Sequence, residues 1–118
     1  MPVIKVWGLP ANQSEDNLRI LHGSIVAAVV ELKELGLYSE NDMTVLFPPD
    51  RMSYGLGDEI IVEIDGLFQR RERTDDVIRR LAKEVGSTIS FLYPQAKVEC
   101  FVQTCYEDRG FWQSSTPR

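Results

Sequence analysis

Two cysteines, one histidine and no long apolar run are what this 118-residue chain offers least, and each scarcity narrows what it can be. Cys100 and Cys105 fall on one strand-like stretch at an odd spacing, so they point to opposite faces and a disulfide between them is disfavoured. Together with the lone His22 they make no plausible zinc set, and reduced thiols fit an intracellular, cytoplasmic protein. No metal or cofactor is expected. The longest apolar run, Ile25 to Val30, is far too short to span a membrane. The first residues lack the basic and apolar regions of a secretory signal. Positive charge is scarce too: 13 basic against 18 acidic residues give a net charge of -5, which argues against a general nucleic-acid surface.

What is present is ordinary for a globular protein, with 43% hydrophobic and 26% charged residues in a length that suits one domain. The sequence repeats itself. Ile4-x-Val6-x-Gly8-Leu9 returns as Val62-x-Ile64-x-Gly66-Leu67, 58 residues later, each alternating with period two and then breaking at glycine. Each copy leads to a helix start, Ser14-Glu15-Asp16 and Thr74-Asp75-Asp76, where a hydroxyl and acids suit the exposed N–H groups. Helix positions Leu18, Leu21, Ile25 and Val29 match Ile78, Leu81, Val85 and Ile89 at an offset of 60 and form one apolar stripe each.

The first helix is expected to end near Leu35 with Gly36 as its C-cap, and the second before Pro94. Strands follow at Met43 to Phe47 and Lys97 to Tyr106. The result is an α/β (α+β) sandwich: two βαβ units, about 2–48 and 59–106, in one domain over 1–112, with a tail over 113–118. Right-handed crossovers give one four-stranded sheet with both helices on one face. The other face reads as apolar as well, with Leu46 and Phe101 on it, and is expected to be covered by other subunits.

Two features carry chemistry. Pro2 precedes the first strand; once Met1 is removed it is a secondary amine able to accept a proton, although Pro at a strand start also costs no ladder bond and needs no function. The second loop, Phe68-Gln69-Arg70-Arg71-Glu72-Arg73, sets cations beside a helix N-terminus, where the first copy has Pro10-Ala11-Asn12-Gln13. Either an anion gripped by guanidinium forks offsets the repulsion, or Asp65, Glu72, Asp75 and Asp76 neutralise it in a solvated network.

Met1-Pro2-Val3-Ile4, the stretch Phe47-Pro48-Pro49-Asp50 through Gly57, Gly57-Asp58-Glu59-Ile60 through Gly66-Leu67, Arg70-x-x-Arg73-Thr74 and Gly110-Phe111-Trp112 together resemble the tautomerase superfamily. That group includes 4-oxalocrotonate tautomerase, macrophage migration inhibitory factor and cis-3-chloroacrylic acid dehalogenase. The resemblance implies a homotrimer and two antiparallel units, which bring Pro2 to the Arg70–Arg73 loop. It implies an isomerase with Pro2 as general base and Arg73 as its catalytic partner, Arg70 and Arg73 binding a small anionic carboxylate. The substrate expected is a 2-oxo or 2-hydroxydienoic acid, with no nucleic acid and no membrane partner. The other outcomes are a catalytically silent trimeric scaffold, or a hydratase, dehalogenase or decarboxylase. Departures bear on these: the dehalogenase's last-strand carboxylate is matched by Gln103 or Thr104, with Glu99 a substitute only if it faces inward. Glu99 and Phe101 replace the inhibitory factor's Tyr and Asn, and Lys33 reads as exposed. His22 reads as a boundary residue, and Trp7, Phe68, Phe111 and Trp112 as packing.

Overall fold

Both βα junctions are built alike, and they set the rest of the fold. The computed structural model describes residues 1–49 and 58–115. Strand β1 (Val3–Trp7) leads to helix α1 (Glu15–Glu31), and β3 (Glu59–Phe68) leads to α2 (Asp75–Leu92). In the first junction the Gln13 N–H donates to the Pro10 carbonyl at 3.3 Å; in the second the Arg73 N–H donates to the Arg70 carbonyl at 3.0 Å. The next residue caps the helix each time. The Ser14 hydroxyl accepts from the Asn17 N–H at 3.1 Å, and the Thr74 hydroxyl accepts from the Val77 N–H at 3.3 Å. A side-chain oxygen in this position satisfies one of the four N–H groups a helix start leaves open.

Strands β2 (Thr44–Leu46) and β4 (Lys97–Cys105) close the units, each shorter than expected from the sequence. The sheet order is β2-β1-β3-β4; β1 is parallel to β2, β3 is parallel to β4, and β1 and β3 run antiparallel at the centre. The two units are therefore related by an approximate two-fold through the middle of the sheet. Ile4, Val6, Ile60, Val62 and Ile64 bury one face against Leu21, Ile25, Ala28 and Val29 of α1 and Val77, Leu81, Val85 and Ile89 of α2. The stripe on α2 starts at Val77 rather than Ile78, which is half-buried, and Leu18 of α1 is half-buried too.

Three expectations are corrected. Helix α1 stops at Glu31; Leu32 leaves helical geometry, a short 3-10 turn (Lys33–Leu35) follows, and Gly36 caps that turn at φ 70°. The break lets Leu32, Leu35 and Leu37 all bury, which one straight helix stripe does not allow. Strand β3 does not break at Gly66 but continues to Phe68 through a register shift between Ile64 and Leu67. Finally, the sheet face away from the helices is mixed rather than apolar. Val3, Ile61, Leu46 and Phe101 lie there among Lys5, Glu63, Asp65 and Glu99, and the Trp7 indole N–H donates to Glu63 at 2.6 Å.

Cys100 and Cys105 are free thiols, as the spacing implies. Among the described residues no helix is long and apolar enough to cross a membrane, and no group of His, Cys, Asp or Glu is arranged to hold a metal ion. Residues 50–57, on which part of the family resemblance rests, and 116–118 lie outside the described residues.

Candidate active site

Because β1 and β3 are antiparallel, the start of β1 and the end of β3 share one edge of the sheet. Pro2 sits there, buried, its carbonyl accepting from the Thr44 N–H at 2.9 Å and so tying it to β2. Across from it is the bulge in β3. Gly66 has φ 75°, and a Cβ built on it would lie 3.3 Å from the Met1 carbonyl oxygen and 3.7 Å from the Pro2 Cα. Only glycine combines that backbone angle with so close an approach. The glycine read as a strand terminator is instead what lets the N-terminal residues seat against the sheet.

The loop that leaves β3 two residues later carries the cations. Arg73 is half-buried, and three of its N–H groups are already engaged. Nε and Nη2 donate to the Leu35 carbonyl at 3.1 and 2.7 Å, and Nη1 donates to the Phe68 carbonyl at 2.8 Å. The guanidinium thus ties the segment after α1 to the end of β3. Its pKa is lowered, first by burial and then by the charge of Arg70, with Glu72 opposing. A guanidinium has five N–H donors, so this one keeps two beyond its carbonyl contacts.

Arg70 is more open. Its guanidinium stands 5.4 Å from the centre of the Phe68 ring, and Nη2 lies 3.1 Å from Glu107 Oε2. Glu107 comes from the segment just after β4, which ends at this same edge. Here the Gln69 N–H donates to the Cys105 carbonyl at 2.8 Å, and the Gln69 amide donates to the Thr104 hydroxyl. Phe111, further along, meets Phe68 edge-on at 4.7 Å between ring centres.

Pro2, Arg70 and Arg73, the residues picked out from the sequence, are therefore gathered at one edge. Asp76 pairs with Arg79 at 3.0 Å, within α2, and Arg80 pairs with Glu34 at 2.9 Å. The ionic partner of Arg70 is instead Glu107, which sequence reading missed. Its signal was available only through topology: β4 runs parallel to β3, so whatever follows β4 meets whatever follows β3. Glu99 lies on the face away from the helices near the start of β4, paired in register with Ile61 and within 3.7 Å of Lys97, at the opposite end from Pro2. Lys33 is exposed and His22 half-buried, as read. Trp112 and Phe111 are both exposed, and Phe111 packs edge-on against the half-buried Phe68.

The other edge of the sheet holds a cavity of about 690 Å³. Ile60, Phe47, Gln13 and Tyr93 are among its walls, and the Tyr93 hydroxyl donates to Gln13 Oε1 at 2.6 Å. Burial raises the Tyr93 pKa, keeping the phenol protonated.

Two antiparallel βαβ units under a shared helical layer define a tandem-duplicated α+β fold. No protein-family model and no curated protein matches the sequence. Solved structures do. A native fused 4-OT is 18% identical, with a TM-score of 0.67 over 92% of this chain and 91% of that one. A malonate semialdehyde decarboxylase is 12% identical, with a TM-score of 0.63 over 97% and 92%. A 5-carboxymethyl-2-hydroxymuconate delta-isomerase is 14% identical, with a TM-score of 0.58 over 98% and 89%. A further fused 4-OT, 12% identical with a TM-score of 0.62 over 90% and 85%, is described as a symmetric trimer. All of these are tautomerase-superfamily enzymes, and the chain has the fold they share.

Proposed function

We propose that this protein is an isomerase that moves a proton between oxygen and carbon of a small 2-oxo or 2-hydroxydienoic carboxylate, with Pro2 as the base. The observation that carries the reading is the seat of Pro2: buried at a sheet edge, against a glycine bulge that leads within four residues to Arg70. Removal of Met1 turns the Pro2 nitrogen into a secondary amine. Burial disfavours its ammonium form, and the nearby arginines repel a second positive charge, so the amine stays neutral and basic.

In the forward step the amine takes the hydroxyl proton of the dienol. The oxygen electron pair forms the carbonyl, the C2=C3 pair moves onto C3, and the prolinium returns its proton there. Arg70 has the open guanidinium and takes the substrate carboxylate, exchanging Glu107 for it. Arg73, fixed by its carbonyl contacts, stabilises the charge that develops on the enolate oxygen; preorganised donors do this without reorganising during reaction. The subunits associate as a homotrimer, a reading favoured by the trimeric fused 4-OT. The exposed Phe101 and Leu46 on the helix-free face are then covered by neighbouring copies.

One observation favours a second reading. Glu107 brings to Arg70 the carboxylate that Gln103 and Thr104 do not supply, and a carboxylate there can activate water for hydration of an unsaturated acid. The decisive experiment combines intact mass with kinetics. Protein from its native host should lack Met1, and Pro2→Ala should lower dienol ketonisation by about 10²-fold or more with an unchanged circular dichroism spectrum. A retained Met1 blocks the amine and leaves a silent scaffold, whereas an unchanged rate removes Pro2 from the mechanism. Glu107→Gln separates the two chemistries: ketonisation survives it and hydration does not.

A further inference from the structure

A duplicated chain has two equivalent sheet edges, and here the second edge holds the cavity. The strand offset of 58 places Ile60 where Pro2 stands. The loop offset of 60 places Pro10 where Arg70 stands and Gln13 where Arg73 stands. These three counterparts all line the cavity. Even the long-range tie is copied. Arg73 of the second unit bonds Leu35, beyond α1 of the first, while Gln13 of the first unit bonds Tyr93, beyond α2 of the second. The frame is the same; every charged or basic group in it has been exchanged for an uncharged one.

The walls define what fits. A volume of about 690 Å³ lies within the range of small-molecule pockets, roughly 300–1,000 Å³. Leu9, Phe47, Ile60 and Ala96 supply apolar surface. Among the described lining residues there is no cation, and the exposed Asp58 is the one charged group. The Gln13 carbonyl oxygen is taken by the Tyr93 hydroxyl, so the amide N–H groups of Gln13 are what it can offer a ligand.

We propose that this second edge is a binding site for a small uncharged ring compound bearing a hydrogen-bond acceptor, seated on Phe47 and Ile60 with its acceptor on Gln13. A carboxylate is disfavoured there, because among the described lining residues it would meet apolar walls and Asp58 and no cation to pair with.

The test compares two probes that share a ring system, 2-naphthol and 2-naphthoate, by amide chemical-shift titration of the full chain. Binding of 2-naphthol moves the amides of Gly8, Gln13, Tyr93 and Ala96, and 2-naphthoate binds these positions at least about tenfold more weakly, a difference of about 1.4 kcal/mol. Ala96→Phe fills the cavity and abolishes the 2-naphthol shifts. Gln13→Arg restores the cation found at position 73 with a small gain in volume, and it reverses the preference toward 2-naphthoate; this variant keeps the test decisive should Ala96→Phe fail to fold. The proposal is overturned if 2-naphthol leaves those four amides unmoved, if both probes bind them equally in the unaltered chain, or if Gln13→Arg leaves the preference unchanged. Neither probe reports on Pro2 chemistry, so failure here leaves the proposed isomerase standing.

Discussion

The two edges of the sheet share a backbone and differ in chemistry. Each has a positive-φ glycine, Gly8 just past β1 or Gly66 within β3, a turn closed by a bond between residues three apart, and a hydroxyl-capped helix. At one edge the frame displays Pro2, Arg70 and Arg73; at the other it displays Ile60, Pro10 and Gln13. The difference shows that the fold asks little of these positions beyond a residue able to bridge from the loop to the opposite unit. Arginine does so with charge and amide does so without it. Holding this junction does not itself require a cation, since a neutral side chain holds the equivalent junction at the other end.

The sharpest way to break that comparison is to remove the bridges in turn. Arg73→Ala strips hydrogen-bond donors from two backbone carbonyls, those of Leu35 and Phe68. Partners left unsatisfied cost about 1–3 kcal/mol each when buried; these are half-buried, so a total loss of about 2 kcal/mol is expected in urea denaturation. Gln13→Ala removes one bond to Tyr93 and should cost about 1 kcal/mol or less. Equal costs at the two sites would mean that the bridges are not asymmetric in strength. Arg73→Lys retains the charge but cannot fork to two carbonyls, so it should recover little of the lost stability.

Next in size is Gly66→Ala. Its φ of 75° strains any L side chain by roughly 1–2 kcal/mol, and the new methyl also presses the Met1 carbonyl at 3.3 Å. Removal of Met1 deletes that oxygen. The variant should therefore be more destabilised in a chain that keeps Met1 than in one that begins at Pro2, and thermal unfolding of both forms reads the gap. The same substitution at Gly36, also at a positive φ, meets nothing within 4 Å and isolates the backbone term alone.

Smaller still is a difference between the thiols. Burial against α2 pushes the Cys100 thiol up to about 11, so little thiolate forms near neutral pH. A disulfide reagent at pH 8 should label Cys105 well before Cys100. Equal rates would mean that β4 opens readily from α2.

The architecture was legible because its causes are local. Alternation at Ile4-Val6 and Val62-Ile64, hydroxyl caps at Ser14 and Thr74, and spaced leucines and isoleucines each report on neighbours within one turn or one pleat. Pro2, Arg70 and Arg73 were legible as candidates because their residue types are out of place in an ordinary strand start and helix start. What was not legible depended on contacts across the sheet. Gly66 reads as a terminator until the N-terminal residues are seen packed on it. Glu107 lies 37 residues from Arg70 in sequence and meets it only through the parallel pairing of β3 and β4. The end of α1 was misplaced because Leu32, Leu35 and Leu37 all bury, a tertiary demand that outweighs the continuing helical pattern. Leu46 and Phe101 mark the helix-free face as apolar only until the pairing of strands sets Lys5, Glu63 and Asp65 beside them.

The smallest expected effect tests whether the second edge is held by a neutral pair. Burial raises the Tyr93 pKa above its ordinary value near 10, so the folded chain holds the phenolic proton more tightly than the unfolded chain. A raised folded value contributes stability that is fully present below the unfolded pKa and is lost as pH rises through the folded one. Tyr93→Phe should therefore cost about 0.5–1.5 kcal/mol at pH 8, where the hydroxyl still donates to Gln13. Above about pH 10 the gap between variant and parent should close, because the parent must then ionise a half-buried phenol and loses its donor to Gln13. Urea denaturation across pH 7 to 11 measures both arms, and a gap that stays constant would mean that Tyr93 titrates as freely in the folded chain as in the unfolded one. Arg73 at the opposite edge stays protonated throughout this window, so its variants should show no such convergence.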